Sequence, residues 1–155
     1  MDYKEQYTKI YRYCYYRLRQ KETAEDITQE TFLQYLKHPE YGAEKYPLKI
    51  LYTIARNLCV DEARRGKRIS FVPQGAAEIN RDGALTDEEQ IIGRLRLREA
   101  MDTLEETERE IVFFKIVNGV PAAVIGKMLG LSRFAVYRRC EKALRHLKKE
   151  MEADV

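Results

Sequence analysis

Apolar residues recur at three- and four-residue steps along most of the chain, which is the spacing of helices that bury one face. The first such stretch predicts a helix from about Asp2 to Arg19. Its apolar stripe consists of Tyr3, Tyr7, Ile10, Tyr11, Cys14 and Leu18. Tyrosine is interpreted here as a bulky core residue with a polar tip rather than as a base-stacking residue.

Two further helices are predicted in the first half of the chain. Thr23 predicts the start of the second, because its hydroxyl can cap a helix and acidic residues follow it in the first turn. Its inward stripe is Ile27, Thr31 and Tyr35, widened by Phe32 and Leu36. The third runs from about Leu48 to Arg65 and buries Leu51, Ala55, Leu58 and Cys59. Residues 37–47, with two prolines and a glycine, predict a loop between these helices.

Residues 69–86 lack clear periodicity and contain two glycines and a proline, so they predict a flexible linker. Beyond it, residues 86–89 and 107–110 each have the pattern of a capping box at a helix start. The first of these helices points Ile91, Ile92, Leu95, Ala100, Met101 and Leu104 inward. The second is the apolar segment Ile111–Val117, which ends at Asn118-Gly119. Alternating β-branched runs are absent. The chain is therefore predicted to be all-α, with two small helical domains at 1–68 and 87–155.

The segment from Pro121 to Lys149 predicts a short helix, a tight turn and a longer basic helix. Pro121 suits a first helical turn, Gly130 suits a helix end in the left-handed conformation, and Ser132 can cap the next helix. In that helix one face is apolar, formed by Val136, Cys140, Ala143, Leu144 and Leu147. This is the layout of a helix-turn-helix whose second helix enters a major groove, and the alternative is a helical hairpin with a solvated basic face.

The distribution of charge favours a polyanionic partner. Residues 1–68 carry 14 Lys/Arg against 10 Asp/Glu, residues 69–93 carry 1 against 5, and residues 94–155 carry 13 against 10. Two mildly basic blocks therefore flank an acidic connector, which suits contact with nucleic acid at both ends. The acidic connector itself fits either a path through a basic channel or a merely solubilising linker.

Several classes of protein are disfavoured by what the sequence contains. The cysteines Cys14, Cys59 and Cys140 are widely spaced, so neither a zinc site nor a disulfide framework is expected, and no cofactor is predicted. No catalytic constellation is present, and we expect a protein that is not an enzyme. The polar N-terminus and the lack of a long apolar run predict a cytoplasmic protein without membrane insertion.

Two clusters in the first half add to the DNA-binding interpretation. Loop 37–47 carries His38, Tyr41 and Tyr46, which could stack on single-stranded bases, although a plain surface loop is an equal alternative. A basic run at residues 64–68 ends the third helix and could grip phosphates.

Three segments resemble, in order and spacing, the bacterial RNA polymerase sigma factors of the extracytoplasmic-function (ECF) type. Residues 23–33 (TAEDITQETFL) resemble the "AED-(L/I)-x-QETFL" segment of sigma region 2. Residues 51–65 (LYTIARNLCVDEARR) look like the "L-x-x-IARN-x-x-x-D-x-x-RR" segment that follows it. Residues 104–149 are similar to region 4, including Leu129-Gly-Leu-Ser132.

The resemblance implies a dissociable specificity subunit of RNA polymerase. Region 2 (1–68) would bind the polymerase clamp and read and melt the −10 promoter element, while region 4 (87–155) would rest on the β-subunit flap and read the −35 element. The clamp-binding residues would be Asp26, Gln29, Glu30 and Phe32, with Phe32 supporting the helix from inside. The −10 residues would be His38, Tyr41, Tyr46, Arg56, Asn57, Arg64 and Arg65. The −35 residues would be Ser132, Arg133, Ala135, Val136, Arg138, Arg139 and Lys142, the last three gripping phosphates. A separate anti-sigma factor is an expected partner.

The chain departs from the family pattern at three places. The tryptophan usual before the "L-x-x-IARN" segment is absent, and Pro47-Leu-Lys-Ile50 stands there. Residues 122–124, in the first helix of the helix-turn-helix, lack the usual acid. Phe134 and Ala135 replace a small residue and a threonine, so either the −35 sequence differs from the usual one or Phe134 packs inside. The alternative functions are a free-standing transcriptional regulator and a protein-interaction module without DNA contact.

Overall fold

A computed structural model describes residues 1–66 and 88–153 of the chain. For residues 88–92 and 153 it describes the backbone alone. The predicted linker 69–86, the capping box at 86–89 and the inward positions Ile91 and Ile92 lie outside the described residues or side chains. Every regular element in the described ranges is helical, which confirms the all-α prediction.

The N-terminal half contains three α-helices that pack on one another. They are α1 (Tyr3–Leu18), α2 (Lys21–Lys37) and α3 (Pro47–Arg65), and a short 3₁₀ helix (Pro39–Ala43) lies between α2 and α3. Asp2 caps α1 by accepting a hydrogen bond from the Glu5 backbone N–H at 3.2 Å. The predicted cap at Thr23 is wrong. Helix α2 begins two residues earlier, and the Thr23 hydroxyl instead donates to the Gln20 side chain at 3.0 Å.

The C-terminal half contains α4 (Glu88–Asp102), α5 (Glu106–Val112), a π-helical turn (Phe113–Val117), α6 (Ala122–Leu129) and α7 (Arg133–Ala153). The capping box predicted at 107–110 is wrong, because α5 starts at Glu106 and the Glu110 carboxylate points into the core instead of back to the helix start. The predictions for the turn between α6 and α7 are confirmed. Gly130 has φ +71°, and Ser132 Oγ accepts from the Ala135 N–H at 3.1 Å.

Burial follows the predicted stripes with four exceptions. Tyr3, Leu36, Leu95 and Leu144 were expected to face inward and are exposed. Conversely Tyr13, outside the predicted stripe of α1, is completely buried. Leu36, Leu144 and Tyr13 lie at the edges of their stripes, where the helical period alone places a residue poorly, and Tyr3 lies in the first turn of α1. The cysteines are free thiols, and each is buried.

The two halves share one hydrophobic core. Helix α3 packs against α6, and the apolar cluster runs without a break from Ile10 and Leu51 to Ile125 and Val136. A second cluster, around Met101 and Leu147, joins α4 to α7. The halves predicted as separate domains are therefore in direct contact in this structure. None of the described helices has the length and hydropathy needed to cross a membrane.

Candidate nucleic-acid interface

A buried polar cluster holds the two halves together. Glu110 of α5 is 1% exposed, and its Oε1 accepts hydrogen bonds from the hydroxyls of Tyr13 and Tyr52, the latter at 3.0 Å. The Arg17 guanidinium lies 3.4 Å from the same oxygen. Three groups of the N-terminal half thus converge on one carboxylate of the C-terminal half.

The burial of this cluster changes its acid–base properties. Burial raises the pKa of Glu110, and the hydrogen bond from Tyr13 and the charge of Arg17 only partly offset that rise. Burial and the neighbouring carboxylate raise the pKa of Tyr13 and of Tyr52 as well, so both phenols stay protonated and act as donors. A buried carboxylate is costly unless its oxygens are paired. Oε1 of Glu110 has the three partners named above, whereas Oε2 has no hydrogen-bond partner among the described residues.

A second polar contact crosses the same boundary and involves a predicted DNA-binding residue. Arg56 of α3 binds Glu106 of α5, with Nη2 2.6 Å and Nε 2.7 Å from Oε1. Burial alone would raise the pKa of Glu106, but the Arg56 hydrogen bond and charge lower it overall. The Arg56 guanidinium is therefore directed at the C-terminal half in this arrangement.

The other residues of α3 that were predicted to contact the −10 element are exposed to solvent. Asn57, Arg64 and Arg65 are exposed, and Arg65 lies 3.7 Å from Glu62 in the same helix. Asn57 and Arg64 are seven residues apart, so they share one helical face two turns apart. Asn57 and Arg64 therefore share one exposed face and Arg65 ends the helix, whereas the Arg56 side chain is paired with Glu106.

The loop before α3 is partly ordered by its own aromatic residues. The Tyr41 ring lies 4.9 Å from the His38 ring and 6.0 Å from the Tyr35 ring of α2, measured between centroids. His38 is exposed and its Nδ1 lies 2.8 Å from Glu40. Tyr46, half-buried at the start of α3, has the Lys45 ammonium 5.6 Å above its ring. Tyr41 thus anchors the loop, while His38 stands at its surface.

Helix α2 presents an exposed face that is both acidic and apolar. Asp26 and Gln29 are exposed, and half-buried Glu30 accepts a hydrogen bond from Gln34 at 3.2 Å. Phe32 faces inward and its ring lies 5.5 Å from that of Tyr7. Leu33, 53% exposed, follows the acidic positions on the same face and was not among the predicted polymerase-binding residues. Its seven-residue spacing from Asp26 was the available signal.

Helix α7 is divided lengthwise into a buried and an exposed face. Val136, Cys140, Ala143 and Leu147 are buried, whereas Arg133, Arg138, Arg139 and Lys142 are exposed. Arg139 also lies 3.3 Å from Glu108 of α5. Because Val136 is 0% exposed, its side chain supports the helix and does not belong to the outward surface on which it was predicted. The exposed face is cationic, as a helix that enters a major groove requires.

The turn that sets the angle of α7 depends on a close backbone approach. A Cβ built at Gly126 would lie 2.5 Å from the Leu131 carbonyl oxygen, so only glycine fits in α6 at this point. The Leu131 N–H in turn donates to the Gly126 carbonyl at 2.8 Å. Together these contacts fix α7 against α6 as a helix-turn-helix. Gly126 was not identified from the sequence, because a close approach is a property of the tertiary structure.

Two protein families match this chain, one in each half. The family described as Sigma-70 region 2 matches residues 3–69, and the family described as Sigma-70, region 4 matches residues 94–147. The first match contains the two segments that resemble sigma region 2, the second overlaps the segment similar to region 4, and residues 70–93 lie between the two matches.

Three proteins similar to this chain are sigma factors. The chain is 30% identical over 128 residues to the ECF RNA polymerase sigma factor SigL of Mycobacterium tuberculosis, covering 81% of this chain and 72% of SigL. It is 28% identical over 156 residues to the ECF RNA polymerase sigma factor BldN of Streptomyces coelicolor, covering 94% of this chain but only 57% of BldN. It is 25% identical over 155 residues to SigW of Bacillus subtilis, covering 92% of this chain and 83% of SigW.

A solved structure shares the fold. The sigma factor RpoE of Bartonella quintana, solved in complex with the anti-sigma factor NepR, superposes with a TM-score of 0.61, 16% identity and coverage of 97% of this chain and 94% of that one. The helical fold, the two family matches and the cationic helix-turn-helix define a two-part DNA-binding protein of the transcription machinery. The chain belongs to the ECF sigma factor family.

Proposed function

We propose that this chain is a transcription initiation factor that binds core RNA polymerase and directs it to promoters by contacting their −10 and −35 elements. The observation that carries the proposal is the pairing of a region 2 match and a region 4 match in one chain, with the region 4 part presenting an exposed cationic helix. A repressor would need only the helix-turn-helix. It would have no use for the exposed acidic and apolar face of α2.

We assign polymerase binding to that face of α2. Asp26 and Gln29 offer acceptors to a basic partner surface, and Leu33 adds an apolar contact that becomes buried on docking. Glu30 lies at the edge of this face, and Phe32 supports it from inside the helical bundle. The expected partner surface is the polymerase clamp, with region 4 on the flap.

We assign promoter contacts to three surfaces. The −10 element meets the loop residues His38, Tyr41 and Tyr46 and the α3 residues Asn57, Arg64 and Arg65, joined by Arg56 when it is released from Glu106. The −35 element meets the start and exposed face of α7, where the residues are Ser132, Arg133, Ala135, Arg138, Arg139 and Lys142. Cationic groups contribute by releasing counterions from phosphates.

The mechanism is one of binding energy rather than bond chemistry. Unstacking a base costs a few kcal/mol, and a loop that holds an extruded base lowers that cost. Each half can bind weakly, because polymerase tethers both and raises their effective concentration at the promoter. A separate anti-sigma factor would act by covering these surfaces, and RpoE, a protein of this fold, was solved in complex with the anti-sigma factor NepR.

Run-off transcription tests this proposal. The purified chain is mixed with core RNA polymerase and a genomic template library, and transcript 5′ ends are mapped. A shared sequence motif upstream of the starts, absent without the chain, is the expected result. Substitution of Asp26 by Lys should abolish these transcripts, while Glu22→Lys, on an exposed position of the same helix, should not. Tight binding to a palindromic site without polymerase, and no dependent transcript, would favour the free-standing regulator.

A further inference from the structure

The most exposed large apolar residue described in the C-terminal half stands on the recognition helix. Phe134 is 67% exposed, compared with 49% for Tyr137 and 40% for Leu144 on the same helix. The structure therefore excludes the alternative in which Phe134 packs inside. An exposed phenylalanine is not unusual by itself, so the position of this one is what carries the argument.

Phe134 lies on the side of α7 opposite the buried stripe. At 100° per residue, Phe134 and Arg138 stand about 160° on either side of the buried Val136, and Arg145 stands directly across from it. Ser132 caps the helix immediately before this point. Phe134 is thus in the first turn of α7 and on its outermost line, which is the part of a recognition helix that reaches base edges.

The neighbours of Phe134 suit a nucleic acid rather than an apolar protein surface. The Arg133 guanidinium lies 5.6 Å from the centre of the Phe134 ring, and the exposed Arg138 is one turn further along the helix. Between Lys127 and Lys149 there are eight Lys/Arg and one acid, Glu141. The cation–π contact with Arg133 holds one side of the ring and leaves the rest exposed.

A phenyl ring can read only one feature of the major groove. It neither donates nor accepts a conventional hydrogen bond, so it cannot match the nitrogen and oxygen pattern of the base edges. The C5-methyl group of thymine is the apolar group that the groove presents, and apolar side chains are known to contact it. We propose that Phe134 is a specificity-determining residue that contacts a thymine methyl in the −35 element. This inference rests on the proposed function and adds to it a residue and a base chemistry.

The test combines deletion of the side chain with deletion of the methyl group. The promoter mapped by run-off transcription is synthesised with each −35 thymine, on either strand, replaced in turn by deoxyuracil, which lacks only that methyl. Wild type, Phe134→Ala and Phe134→Leu are then compared by transcription with core polymerase. Ile116→Ala is the matched control, because Ile116 is a similarly exposed apolar residue outside the recognition helix. Thermal unfolding of each variant confirms that it is folded.

We expect one thymine whose methyl matters to wild type. Removing that methyl should lower wild-type output about fourfold, the value of one buried methyl group. Phe134→Ala should lose about the same on the thymine template and show no further loss with deoxyuracil, while Phe134→Leu retains part of the effect. Ile116→Ala should respond to deoxyuracil as wild type does.

Three results would overturn the assignment. One is a −35 element without an A·T pair. Another is independent, multiplicative effects of Phe134→Ala and deoxyuracil at every thymine. The third is a Phe134→Ala variant that is as active as wild type, or that loses activity equally at every promoter mapped by run-off transcription. Each of these leaves promoter-specific transcription by the wild-type chain intact, whereas failure of the proposed function would remove that transcription altogether.

Discussion

Replacement of Glu110 by alanine should destabilise the protein more than any surface change in the same helix. The substitution leaves the Tyr13 and Tyr52 hydroxyls and the Arg17 guanidinium without their shared acceptor in a buried site. Each orphaned donor costs about 1–3 kcal/mol, and removal of one member of a buried charged pair costs about 3–5 kcal/mol in total. We take about 4 kcal/mol as the expected loss of unfolding free energy.

Circular dichroism at the helix band is the appropriate assay, because the chain contains no tryptophan to report unfolding by fluorescence. A loss of 4 kcal/mol corresponds to a fall of about 8–16 °C in Tm for a protein of this size, and a lower urea midpoint should accompany it. Glu108→Ala is the matched control, since Glu108 lies in the same helix but pairs with the half-exposed Arg139. That control should lose no more than about 1 kcal/mol.

The pH dependence supplies an independent check on Glu110. Its pKa is raised in the folded protein, so ionising it costs the folded state more than the unfolded state. The stability that Glu110 contributes is fully present below the pKa that this carboxyl has in the unfolded chain. It is lost as the pH rises through the higher pKa that the carboxyl has in the folded protein. Glu110→Gln should remove that part of the pH dependence while Glu108→Ala keeps it. Equal unfolding free energies for Glu110→Ala and Glu108→Ala would refute the idea that this cluster holds the halves together.

Three further predictions concern the helix-turn-helix. Gly126→Ala should destabilise the protein by about 1–3 kcal/mol in urea unfolding, because its Cβ would collide with the Leu131 carbonyl; an unchanged midpoint would contradict the close approach. Ser132→Ala should cost about 0.5–2 kcal/mol through loss of the α7 cap, with Ser132→Asp as the conservative variant that retains stability in the same assay. Arg138→Ala should weaken promoter binding by the holoenzyme uniformly across −35 sequences and reduce the slope of log K against log salt by about 1, and an unchanged slope would exclude a phosphate contact.

The sequence predicted those features that depend on local periodicity and on backbone chemistry. The left-handed Gly130 and the Ser132 cap follow from residues within one helical turn of one another, and the buried stripe of α7 follows from the repeat of apolar residues along that helix. The surfaces of α2 and α7 could be located for the same reason. Leu144 was misplaced because it stands at the edge of its stripe, where one neighbouring element decides between burial and exposure.

What the sequence could not predict depends on contacts between distant segments. Glu110 was interpreted as the end of a capping box, since nothing near it in the sequence reveals that Tyr13, 97 residues away, will donate to it. Arg56 was placed with the DNA-binding residues of α3, and its partner Glu106 lies 50 residues further on. For Glu110 and Arg56 the partner is supplied by packing of the two halves. Gly126 escaped notice for a different reason, because its close approach to Leu131, five residues on, depends on the angle between α6 and α7.

The shared core of the two halves limits what this arrangement can contact. The −10 and −35 elements are named for their positions upstream of the transcription start, so they lie about 25 base pairs apart. That distance is about 85 Å of duplex at 3.4 Å per base pair. Helix α3 touches α6, and α6 touches α7, so two helix-to-helix spacings of about 10 Å separate the proposed readers of those elements. A chain that occupies both elements must therefore break the Glu110 and Arg56 contacts. Under the proposed function, the free energy of that rupture has to come from polymerase and promoter together, so the core and the polar contacts between the halves, the Glu110 cluster among them, oppose promoter binding.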